Sequence, residues 1–81
     1  MIDPQKTGKA FRAIQGILIA GRAMAHRGDS HDRIAALLDH GEYLPGLVLE
    51  PEDRTSTFDE YLASIAQDFP ETQWILDEYR R

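Results

Sequence analysis

Between Pro4 and His26 the apolar residues recur every three or four positions. On a wheel turned by about 100° per residue, Ala10, Phe11, Ile14, Ile17, Leu18, Gly21, Met24 and Ala25 gather on one side. That stripe predicts a first helix over roughly 4–27 whose apolar side faces a core. Asp3 and Pro4 suit its start, since Asp accepts from free N–H groups and Pro has none to leave unbonded. Arg27-Gly28 suits its end.

A second helix is predicted over roughly 30–41. Asp29 or Ser30 caps it, and Ile34, Leu37, Leu38 and Gly41 form its apolar face. A third, roughly 57–69, has Ser56 and Thr57 placed three residues before Asp59 and Glu60, the spacing of a capping box. Phe58, Tyr61, Leu62, Ile65 and Phe69 form its inner face. Pro70 opens a fourth helix, roughly 70–80, with Thr72, Ile75, Leu76 and Tyr79 inward. No strand finds a partner strand. The expected fold is all-α, one domain over 1–81, a compact bundle of about four helices.

Residues 42–55 are expected to form a long, partly buried connection. Pro45 disfavours helical angles at Leu44, and Gly46 adds freedom. Leu44, Leu47, Val48 and Leu49 then have two uses. They can lid the open end of the bundle, or Leu44 and Leu47 can stay available to a partner.

Charge changes the picture in one respect. The net charge is −5, but it is unevenly spread. Residues 1–40 hold six Lys/Arg against four Asp/Glu, and residues 41–81 hold three against ten. Lys6, Lys9, Arg12, Arg22 and Arg27 are the only charges between Pro4 and Gly28. A basic amphipathic helix can lie on nucleic acid or on a membrane. The plainer account sets its basic side against the acidic half of the chain. Overall acidity argues against a duplex-binding role, because phosphate contacts supply most of that affinity.

Candidate chemistry is sparse. Arg27-Gly28-Asp29 reads as a helix exit followed by a cap. Gly8-Lys9 lacks the rest of a phosphate loop. His26, His31 and His40 lie near helix ends, but no two are four apart on one helix, and there is no cysteine. Ser30, Ser56 and Thr57 read as caps rather than nucleophiles. No metal, cofactor or enzymatic activity is expected. The lack of cysteine and of a basic leader points to a cytoplasmic protein. The longest apolar run, Ile17 to Ala20, is too short to span a bilayer.

The expected function is therefore non-enzymatic protein binding, as an inhibitor, immunity-type protein or adaptor acting by surface contact. Ile19 lies opposite the apolar stripe, near Arg22 and Ala23, and suggests a homodimer through the first helix. Trp74, flanked by Glu71 and Glu78, suggests a second contact with a basic partner; its plainer use is to fold over the bundle edge. The alternatives are a structural homo-oligomer with no other partner, and a nucleic-acid accessory protein using the basic helix.

Overall fold

The computed structural model describes residues 4–50 and 56–81. Four α-helices follow in chain order: α1 Pro4–His26, α2 His31–Leu49, α3 Phe58–Asp68 and α4 Gln73–Tyr79. A 3-10 turn, Pro70–Thr72, leads into α4. The expected cap at Asp3 and the stretch 51–55 lie outside the described residues.

Local signals set most helix ends. After α1, Gly28 takes φ +76°, a left-handed conformation that glycine adopts without a Cβ penalty. Its N–H donates to the Ala25 carbonyl, and the Asp29 N–H reaches back to that of Met24. This is the Schellman closure of a helix. Ser30 caps α2, its hydroxyl accepting from the Arg33 N–H at 3.2 Å. Thr57 caps α3 by accepting from the Glu60 N–H at 3.1 Å. Of the two pairs with capping-box spacing, the structure uses Thr57–Glu60.

One boundary differs from expectation. α2 does not stop at Gly41 but continues through Pro45 to Leu49. Pro45 has no N–H to offer the Gly41 carbonyl, a loss that costs about 3 kcal/mol or more inside a helix. Burial offsets it. Leu37, Gly41, Leu44 and Leu47 keep helical spacing, and all four are buried. Leu44 and Leu47 are thus core residues, 0% and 5% exposed, and are not available to a partner.

The helices form two layers, α1 with α2 and α3 with α4, around one core. α1 touches α2, α4 and the 3-10 turn. The face expected inward on α3 is inward, with Leu62, Ile65 and Phe69 buried. Ile75, Leu76 and Thr72 are buried from the last segment. The buried Thr72 hydroxyl donates to the Phe69 carbonyl at 2.7 Å.

On α1 the core face is turned from the expected one. Ala10, Ala13, Gly16, Ile17, Ala20, Gly21 and Met24 are buried. Phe11 and Leu18, expected inside, are 60% and 55% exposed. Leu38 of α2 is also out, at 40%. Close approach is the reason. A Cβ added at Gly41 would lie 3.0 Å from Ile17 Cγ2, and one at Gly21 3.0 Å from Leu38 Cδ2. One at Gly16 would meet Ile75 Cγ1 at 3.0 Å. The neighbouring helices seat on Gly16 and Gly21 of α1; Ile17 and Met24 are buried beside these contacts, and Phe11 and Leu18 turn away.

Two substitutions separate these glycines. Gly41→Leu should lower stability by about 1–3 kcal/mol, because the fully buried Ile17 cannot move aside. Gly8→Ala, whose Cβ would meet nothing within 4 Å, should raise it by up to about 1 kcal/mol through helix propensity. Urea melts of the two variants check both signs.

Candidate functional site

The outer faces of the two layers are unlike. On the α3–α4 side the exposed residues are mostly polar, among them Glu60, Ser64, Gln67, Asp68, Gln73, Asp77, Glu78, Arg80 and Arg81, with Trp74 the large apolar exception. This is an ordinary solvated, acidic face. On the α1–α2 side the exposed residues include Phe11, Leu18, Leu38 and Leu49, the last 64% exposed.

The helical hairpin brings these four together. Gly21 beside Leu38 and Gly41 beside Ile17 fix an antiparallel register. In that register Ile14 lies level with Leu44–Pro45, and Phe11 level with Leu47–Val48. Both helices carry an outward stripe with steps of four and three. On α1 it runs Thr7, Phe11, Ile14, Leu18 and Ala25, with the buried Gly21 at its edge against Leu38; on α2 it runs His31, Ala35, Leu38, Glu42, Pro45, Leu49. Such steps keep a stripe on one side of a helix and are those of a coiled-coil seam. With about half of each side chain in water, the four large residues alone present on the order of 400 Å² of apolar surface, as much as the largest patch of a typical monomer.

The residues singled out from the sequence fall in different places. Ile19, Arg22 and Ala23 are all exposed on α1. Arg22 borders the apolar face, while Ile19 is turned about 100° from Leu18 and stands on its shoulder. Phe11, Leu18 and Leu38, expected in the core, and Leu49, expected in a lid, are all exposed on this face. The four-and-three spacing was the available signal.

Trp74 is 44% exposed. Its ring folds toward α1, with Cη2 3.3 Å from the place a Cβ on Gly16 would take. A cleft beside it is lined by Lys9, Arg12, Glu78, Tyr79 and Arg81. Lys9 Nζ donates to the Arg81 carbonyl. Glu78 lines this cleft, but Glu71 does not. Glu71 accepts from Arg33 at 3.0 Å and lies 3.8 Å from Arg27. The two carboxylates therefore do not frame the indole, and the cleft is cationic. A basic partner at Trp74 has no support in this geometry.

The remaining polar groups hold the fold. Arg33 also pairs with Asp29 at 2.9 Å and lies over the Phe69 ring at 5.2 Å from its centre, tying the α1–α2 turn to the 3-10 turn. Arg80 grips Asp59 with two bonds of 2.8 and 3.0 Å. His40 Nδ1 lies 2.8 Å from the Tyr61 hydroxyl. Among the described residues no three His, Cys, Asp or Glu side chains gather as a metal site. No helix there is long and apolar enough to cross a membrane. The cations of α1 do not form one stripe: Lys9, Arg12 and Arg22 turn around the helix in steps of about 60° and 80°.

No family model, curated protein or solved structure matches this chain.

Two carboxylates give the fold a pH dependence. Partial desolvation at Asp29 favours the proton, but bonds from the Ser30 N–H, Arg33 and Arg27 outweigh it and hold the pKa below the ordinary value. At Asp59 the Arg80 hydrogen bonds lower it directly. Both groups bind a proton less readily folded than unfolded. Their contribution is complete above the unfolded value and is lost as pH falls below about 4. The melting temperature should drop across that window, and less steeply in the Asp29→Asn/Asp59→Asn double variant.

Trp74 should emit as a half-wetted indole and be quenched by acrylamide. Trp74→Ala should lower stability by about 1 kcal/mol, since nearly half of the residue is already in water. Fluorescence and a urea melt check both.

Proposed function

We propose that the protein is a small non-enzymatic binding module whose docking surface is the outer face of the α1–α2 hairpin. The observation that carries this reading is the cluster of Phe11, Leu18, Leu38 and Leu49 in water on one face, opposite a face that is almost wholly polar. A domain of this size needs its apolar side chains in the core, because a short chain buries a small fraction of its surface. Leaving four large ones outside, at regular spacing on two rigid helices, fits a surface that another protein covers. Ser30, Thr57 and His40 have structural uses: Ser30 and Thr57 cap helices, and His40 is bonded to Tyr61.

The test uses the Phe11→Asp/Leu18→Asp double variant beside the wild type. Both positions are exposed, so the intrinsic stability of the monomer should change by less than about 1 kcal/mol. Ile17→Ala, one residue from Leu18 but fully buried, should cost about 2–5 kcal/mol. Tagged wild type should retain a stoichiometric protein partner, either another protein or its own untagged chain, and the double variant should lose it. Equal retention by both would overturn the docking surface.

A further inference from the structure

Resting on that reading, we infer that the occupant of the hairpin's outer face is a second copy of this chain, bound through an isologous contact with α1 antiparallel to α1 about a two-fold at Leu18.

Three observations point to a second copy. The first is charge. The chain is strongly acidic, yet the outward stripes of α1 and α2 carry only Glu42, with Arg22 beside them. Arg22 borders it on α1 and Asp39 on α2, so the face holds few charges and two acidic copies repel each other less there than through their other faces. A distinctly basic or acidic partner would find no matching field there.

The second is shape along α1. Phe11, Leu18 and Ala25 are spaced by seven, symmetrically about Leu18. Antiparallel pairing about a two-fold at Leu18 sets Leu18 against Leu18 of the second copy. It also sets each Phe11 against an Ala25. Large residues then meet small ones, as knobs meet holes in a helical seam. The same rotation brings Arg22 of one copy within about one helical turn of Glu42 of the other, a reach Arg can span. A C2 contact must be self-complementary in this way.

The third is area. Adding the part-buried Ile14 and Pro45 and the exposed Ala25 and Ala35, two copies would remove on the order of 1,200 Å² from water, the lower bound for specific interfaces. The result is four helices in two stacked hairpins, with α3 and α4 of each copy outermost. Left-handed packing near +20° is the ordinary geometry for such helices.

The chain has no cysteine, which gives a direct test. Leu18→Cys should form a disulfide with its twin across the two-fold under mild oxidation. Ser64→Cys, on the outer face of α3, should give no cross-linked dimer under the same conditions. Sedimentation of the wild type should show a dimer at about 100 µM. Phe11→Asp/Leu18→Asp should sediment as a monomer with an unchanged helical circular dichroism spectrum. Arg22→Glu and Glu42→Arg should each weaken the dimer about tenfold, and the two together should restore it. A wild type that is monomeric at about 500 µM, or a dimer that survives Phe11→Asp/Leu18→Asp, would overturn the inference. The retention experiment separates that failure from a failure of the docking surface. A monomeric wild type that still loses a different protein through the double variant keeps the surface and changes its occupant. If no partner depends on the two aspartates, both fall.

Discussion

Close approach of helices at three glycines governs the structure. Gly21 and Gly41 let α1 and α2 meet with Leu38 and Ile17 lying against bare backbone, and Gly16 admits Ile75 and the Trp74 ring of α4. Each contact is at the lower limit for a Cβ, so no larger residue fits without displacement. Helix α1 is thereby held on two sides, and its rotation about its own axis is no longer free. Its core side becomes the small one, Ala10, Ala13 and Ala20, with Ile17 and Met24 as the large side chains among them. Dispersion contacts are many and short at such a seam, which offsets part of the propensity cost of glycine in a helix.

The same constraint creates the outer apolar face. With α1 held at Gly16 and Gly21, Ile17 and Met24 occupy its core side, and Phe11 and Leu18 fall on the outer one. They share the outward side with Leu38 and Leu49. The molecule measures 17 Å along its shortest axis, which is only two helices thick. A third layer of protein would cover what two layers leave exposed. The contacts that tighten the monomer also turn Phe11 and Leu18 to its outer face.

Polar interactions act at the ends of the bundle rather than along it. Arg33 joins Asp29, Glu71 and the face of Phe69, so the turn between the first two helices is fastened to the turn before α4. Arg80 fastens α4 to the start of α3 through Asp59. These groups are exposed enough for water and salt to screen them. Arg33 orients one layer on the other, and Arg80 orients the two helices of a single layer. The acidity of the second half of the chain, which suggested an interaction with the basic helix, is spent partly on these ties and partly on the solvated α3–α4 face.

Helix identities and most of their ends were legible in the chain. Gly28, Ser30 and Thr57 act within one turn of themselves, and such chemistry does not depend on the rest of the fold. The inner face of α3 was legible for a related reason. Phe58, Leu62, Ile65 and Phe69 are its only large apolar stripe, so one rotation alone buries them. Helix α1 offered no such choice, because apolar and small residues nearly encircle it. Periodicity favoured the side with Phe11 and Leu18, and contact with α2 and α4 selected the side with Ala13, Gly16 and Ala20. Pro45 read as a break, since proline's local cost is certain and the burial of Leu44 and Leu47 that offsets it is visible only once α1 and α3 are in place. The sequence alone determined where helices form, because capping and spacing are local. The tertiary structure decided which side of each helix meets water, because that depends on how closely a neighbour can approach.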